Sequence, residues 1–182
     1  MPRVLRLLAS AGCAAALVVA LPAGAAPAKS KSYGAPFKLG PSGGDSFSYH
    51  SATSDGTVTV GRIYPIPGVI NCTKGAPYAK LLVVFRATRA VHKVVATYDS
   101  AAVDPFTFVQ LGLRDTAKGN HHWYGLKTVR GAVTGSGTVG LRPYMPEGPF
   151  PKTLVVEFGL QQSSACPNAD VGTIHFSKIE VS

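Results

Sequence analysis

Phe106-Thr-Phe-Val-Gln-Leu-Gly-Leu113 carries the strongest fold signal in this chain. Phe106, Phe108, Gln110 and Gly112 fall on one parity, and Thr107, Val109, Leu111 and Leu113 on the other. That is the two-residue period of a strand whose faces see different surroundings. Upstream, Ser46–His50 alternates Phe47 and Tyr49 with small polar residues, and Thr57–Tyr64 alternates Val58 and Val60 with Thr and Gly. Lys80–Ala87 (KLLVVFRA) is nearly continuous apolar sequence, as in a strand covered on both faces. With His92–Tyr98 it reads as a hairpin across a short basic connection. His121–Val129, Ala132–Leu141, Thr153–Gln161 and Gly172–Val181 bring the total to about nine strands.

No segment of eleven or more residues shows sustained i, i+3, i+4 apolar spacing in good helix formers, which argues against a helical bundle and against parallel α/β crossovers. The expectation is an all-β protein, an antiparallel β-sandwich of about nine strands in which each strand buries one face. Pro143 to Pro151 holds too many prolines for a central strand and reads as an extended loop. With 46% hydrophobic and only 15% charged residues, the chain is too apolar for intrinsic disorder. Its 182 residues suffice for one domain with a real core.

The first 28 residues read as a secretory signal. Arg3 and Arg6 form a positive start, Leu7 to Leu21 is uncharged and apolar, and Ala23-Gly24-Ala25 and Ala26-Pro27-Ala28 offer cleavage sites after Ala25 or Ala28. The apolar run is shorter than the ~20 residues a membrane span needs. The expected product is secreted and extracellular, with no stable membrane anchor. Residues 29–45 read as a flexible basic lead-in, and residues 46–182 as a single β-sandwich domain. Cys13 is lost with the signal, leaving Cys72 and Cys166 as one possible disulfide in an oxidising compartment. Closing that loop of roughly ninety residues would stabilise the fold by about 4–5 kcal/mol on the chain-entropy model.

The two last apolar segments, Leu154-Val-Val-Glu-Phe-Gly-Leu160 and Val171-Gly-Thr-Ile-His-Phe-Ser-Lys-Ile-Glu-Val181, resemble the closing strand pair of bacterial secreted jelly-roll domains of the carbohydrate-binding-module and galactose-binding-like type. The resemblance covers about the last thirty residues at the level of pattern, and it implies a sandwich of jelly-roll type. Ser177 stands where those domains often carry Asp, which weakens any calcium site the resemblance would imply.

Catalytic groups are scarce. Among six Asp and three Glu, Glu157 and Glu180, both in late strands, are the candidate pair for facing one another across a sheet as a glycosidase needs, and single solvent-face carboxylates explain them more simply. Gly40-Pro-Ser-Gly-Gly-Asp-Ser46 has the letters of a serine-protease motif in the wrong order and reads as a turn. His121 and His122 are adjacent and would point to opposite faces of a strand, while His50, His92 and His175 are isolated, so no metal site and no cofactor is expected.

Asn120-His121-His122-Trp123-Tyr124 is the most suggestive stretch. Trp and Tyr faces stack on sugar rings, and Asn and His hydrogen-bond hydroxyls, but a single Trp in a small sandwich more often fills the core. The candidate ligand contacts are Trp123, Tyr124, His122 and Asn120, with Tyr64 and Tyr144 from proline-rich loops. Arg86, Arg89 and Lys93 form a basic patch, supported by Lys29, Lys31 and Lys38, and the chain's net charge is +9. Such charge suits polysaccharide or an anionic cell-wall polymer as partner. Secretion and the lack of a recognisable module argue against nucleic acid. The expected role is a non-catalytic binding domain for polysaccharide or cell-wall glycan. The alternative is an extracellular structural or protein-interaction sandwich without a sugar site, and a glycan hydrolase ranks third.

Overall fold

The computed structural model of the chain describes residues 29–44, 48–62, 75–116, 122–146, 148–163 and 171–182. These form β1 (Lys31–Gly34), β2 (Lys38–Gly43), β3 (Ser48–Ala52), β4 (Thr57–Arg62), β5 (Tyr78–Ala87), β6 (Val94–Val103), β7 (Thr107–Asp115), β8 (Trp123–Val129), β9 (Val133–Thr134), β10 (Gly137–Leu141), β11 (Lys152–Gln162) and β12 (Gly172–Val181), with no helix among the described residues. One sheet runs β10-β6-β12-β4-β3, with β1 added to β12 and β9 to β6, and the other runs β2-β5-β11-β7-β8. The pairings are antiparallel throughout. Within them, β4-β12-β6-β10 and β5-β11-β7-β8 are the two four-stranded sheets of a jelly roll, in which the chain changes sheet at almost every connection.

Period-two patterning explains how the sheets meet. On β11, Leu154, Val156, Phe158 and Leu160 point inward; on β12, Ile174, Phe176, Ile179 and Val181 do so. Phe158 and Phe176 meet edge to face across the interior with ring centroids 5.0 Å apart, and Phe37 adds a second edge contact to Phe158 at 5.2 Å. Burial of each such ring contributes about 1.5–3 kcal/mol, and each edge-to-face pair about 0.5–1.5 kcal/mol more.

Four expectations change. The supposed lead-in is ordered as strands: β1 pairs β12 and β2 pairs β5, and Phe37 between them is buried in the core. Strand pairing on both sides and one inserted phenyl ring together hold so polar a segment in place. The stretch beginning at Gly40, read as a turn, lies largely within β2. β5 and β6 are not a hairpin; β5 pairs β2 and β11, whereas β6 lies in the opposite sheet beside β12. The connection Thr88–Lys93 is long enough to cross the ~10 Å between layers. Lastly, β5 is not covered on both faces. Ala79, Leu81, Val83, Phe85 and Ala87 are buried, while Lys80, Leu82, Val84 and Arg86 face outward. The signal segment 1–28, Cys72 and Cys166 lie outside the described residues.

Candidate functional site

Register brings the outward residues of the five-stranded sheet into transverse rows. Val84, Val155, Arg114 and Trp123 form one row across β5, β11, β7 and β8. Leu82, Glu157, Gly112 and Leu126 form the next, and Lys80, Gly159, Gln110 and Thr128 the one after. Tyr78, Gln161 and Phe108 continue the face. Successive rows are two residues, roughly 6.6 Å, apart along the strands.

Glu157 is the centre of this face and is only 6% exposed. Its Oε1 accepts a hydrogen bond from Lys80 Nζ at 2.6 Å, and its Oε2 accepts one from Arg114 Nε at 3.1 Å. Both cations are largely buried too, so the carboxylate compensates two charges held on the flanking strands. The chain of contacts continues outward: the Arg114 guanidinium lies 5.8 Å from the centroid of the Trp123 ring, and Lys80 Nζ lies 5.9 Å from that of Tyr78. On the neighbouring rows Gln110 Nε2 donates to Gln161 Oε1 at 2.8 Å. That bond leaves an amide oxygen on one glutamine and an amide N–H on the other, an acceptor and a donor side by side. Arg130 stacks on Phe108 at 5.1 Å.

Trp123 is 39% exposed and rests on the outer face, not in the core, so the question left open by the sequence resolves toward exposure. Leu126 beside it and Val84 across the sheet are exposed as well. The result is an apolar strip at one end of a polar, hydrogen-bonding floor. About 13 Å, four residues of strand, separates the Trp123 row from the glutamine pair.

Other residues singled out from sequence scatter. Tyr124 is a correction: a bulge between Leu113 and Arg114 in the pairing of β7 with β8 turns it inward, where it is 7% exposed and part of the core. It cannot offer a ring face to a ligand. His122 is exposed and packs edge-on against Tyr124 at 4.9 Å. Tyr144 is 83% exposed in the proline-rich loop, which is docked to β8 by its amide donating to the Tyr124 carbonyl at 2.8 Å. Asn120, His121 and Tyr64 lie outside the described residues. Arg86, Arg89 and Lys93 are exposed around the crossing between sheets rather than around a hairpin.

The glycosidase-like carboxylate pair is not assembled. Glu157 belongs to β11 of one sheet, while Glu180 belongs to β12 of the other and accepts from Lys178 Nζ at 3.1 Å. Among the described residues no three His, Cys, Asp or Glu side chains are grouped to hold a metal ion.

Sequence reasoning missed Lys80, Arg114, Gln110, Gln161 and the central role of Glu157. A signal was present. Phe108, Gln110, Gly112 and Arg114 share one parity of β7, and Glu157, Gly159 and Gln161 share one parity of β11. Register alone shows that these two sets are neighbours.

No protein-family model and no curated protein matches this chain. Among solved structures it is similar to one described as "CBM4 structure and function", with 12% identity, a TM-score of 0.40, and 81% of this chain and 78% of that chain covered. It is also similar to TmCBM61, solved in complex with β-1,4-galactotriose, with 13% identity, a TM-score of 0.36, and coverage of 73% and 88% respectively. At such identities no residue of the face is carried over from one chain to another.

Proposed function

We propose that this protein is a secreted, non-catalytic domain that binds a glycan chain along the outer face of its five-stranded sheet. The observation that carries this reading is the exposed Trp123 ring, flanked by Arg114, at one end of a floor of fixed polar groups. An indole face and Leu126 offer apolar area to the C–H face of a sugar ring, and an adjacent amide donor and acceptor suit a hydroxyl group, which both donates and accepts. The polar groups are held by one another, through Glu157 and through the Gln110–Gln161 bond, so little ordering is left to occur on binding. The segment 1–28 belongs to this proposal as a secretion signal. Disulfide formation between Cys72 and Cys166 belongs to it as well.

The test is direct because Trp123 is the sole tryptophan. Intrinsic fluorescence is titrated with neutral oligosaccharides of gluco-, xylo- and galacto-configuration, beside Trp123→Ala in affinity electrophoresis. A saturable spectral change with one sugar, and a loss of about tenfold or more in retention for Trp123→Ala, are expected. No retention of any glycan would overturn the proposal in favour of a protein-interaction domain.

A further inference from the structure

At the end of the sandwich where β5 finishes, a cleft of about 180 Å³ opens between the start of β1, the end of β12 and the crossing from β5 to β6. Its floor is apolar, with Tyr33 and Phe85 in ring contact at 5.8 Å. Among the described residues, Lys29, Lys31, Arg86 and Arg89 line it and no Asp or Glu side chain does. The Ser182 carbonyl on its wall already accepts from the amides of His92 and Lys93, at 2.7 and 3.0 Å. The Tyr33 hydroxyl is buried with no hydrogen-bond partner among the described residues. A buried hydroxyl left in that state is costly unless something arrives to satisfy it.

We propose that this cleft takes the carboxylate or sulfate of an acidic sugar. Its volume corresponds to about six waters, room for a single ring and not for a drug-sized ligand. An apolar floor under a rim of cations fits a ring that is apolar on one face and anionic at its edge. Two guanidinium groups offer paired donors to two oxygens of a carboxylate or a sulfate. Position supports the same ligand class: Arg86 lies two residues beyond Val84 on the outward side of β5, and Val84 shares its row with Arg114 and Trp123. The cleft thus begins where the proposed glycan face ends. This inference deepens the proposed function and rests on it, since it turns a glycan binder into one that prefers acidic chains.

The experiment compares retention of the protein on oligogalacturonate, dextran sulfate, a neutral oligosaccharide and polyphosphate. The variants are Arg86→Ala with Arg89→Ala, Tyr33→Phe, and a charge control of Lys127→Ala with Arg142→Ala outside the cleft. The arginine pair is exposed and makes, among the described residues, one long bond, from Arg89 to the Lys29 carbonyl at 3.4 Å, so its loss is expected to leave the fold intact. The expected result is a loss of about tenfold or more on the acidic sugars for the arginine pair, with the neutral sugar unaffected. Tyr33→Phe is expected to weaken acidic-sugar binding without lowering the melting temperature, a combination that a purely structural role would not produce. The carboxylated and sulfated arms tell which anion is preferred. Equal losses in the charge control, or polyphosphate held as tightly as the sugars, would overturn the cleft assignment and indicate diffuse attraction. Acidic sugars lost with Trp123→Ala but indifferent to the arginines would remove the cleft and leave the glycan face standing. Failure of every glycan would remove both.

Discussion

The indole of Trp123 lies over the backbone of Gly112: a methyl group at Gly112 would stand 2.3 Å from Cζ3 and 3.1 Å from Cε3. Glycine is required here because the ring occupies the space that any side chain would fill. One indole face is therefore pressed to β7 while the residue remains partly open to solvent, and Arg114 steadies it from the next row position. A ring fixed in this way loses little freedom when a ligand stacks on it.

Gly112→Ala tests that relationship. The added methyl forces the indole off the sheet, an overpacking that costs about 1–3 kcal/mol. The expected outcome is a red-shifted emission from the single tryptophan, a modest fall in stability, and glycan affinity lowered nearly as far as in Trp123→Ala. Unchanged emission and binding would mean that the ring does not need its seat on Gly112.

Glu157 gives an ordering of variants. Glu157→Gln leaves Lys80 and Arg114 without their shared anion in a mostly buried place, and an expected loss of about 2–4 kcal/mol follows from the penalty on uncompensated buried charge. Lys80→Met removes one cation, keeps the Arg114–Glu157 pair and costs about 1 kcal/mol. The double variant falls short of the sum, because the two side chains interact directly at 2.6 Å. Urea denaturation of the four proteins reads this coupling. Additive losses would show that the network does not act as a unit.

These two sites show where sequence legibility ends. Alternation in β7 and the full span Gly172–Val181 of β12 were readable because a strand with one buried face must repeat every two residues. Residue type points to Trp123 and Tyr124 alike as ligand contacts; neighbours on a strand face opposite ways, and the register shift between Leu113 and Arg114 decides that Trp123 is the one turned outward. The Lys80–Glu157–Arg114 link joins residues that are 77 and 43 positions apart. Their parity is visible in each strand, but the pairing of β5, β11 and β7 is a property of topology. The hairpin expectation for β5 and β6 failed for the same reason: a jelly roll changes sheets where local patterning suggests a simple return.

On the opposite sheet, His175 sets a pH dependence. Its Nδ1 bonds Asp99 Oδ1 at 2.5 Å and its Nε2 bonds the Asp55 carbonyl at 3.1 Å. Both partners accept, and only the imidazolium has N–H groups on both nitrogens. The Asp99 hydrogen bond, with the Asp99 charge and the Asp55 carbonyl in support, raises the His175 pKa above its ordinary 6.5, against a smaller opposing effect of burial. A group whose pKa is raised by folding adds stability that is complete below the unfolded value and lost as pH rises through the folded one. Melting temperature is therefore expected to fall as pH rises above 6.5. His175→Asn should flatten that slope, and so should Asp99→Asn. A wild-type profile parallel to both variants would show that the contact does not contribute.

Gly56 closes the turn between β3 and β4 and gives the sharpest backbone prediction. Its φ is +113°, its amide donates to the Thr53 carbonyl at 3.1 Å, and its carbonyl accepts from the Phe176 amide at 3.0 Å. A Cβ at this position would stand 2.0 Å from the Phe176 carbonyl oxygen and 3.3 Å from the Phe37 ring. Neither obstacle can yield easily, since one is backbone at the β12 bulge and the other is a core side chain. Gly56→Ala is expected to cost about 2–4 kcal/mol, from strain at positive φ and from the displaced strand. Gly56→Asn separates the two causes. Asparagine tolerates positive φ better than alanine but carries the same Cβ. A loss as large as that of alanine assigns the cost to the clash with Phe176, whereas rescue by asparagine in thermal denaturation would assign it to the dihedral alone.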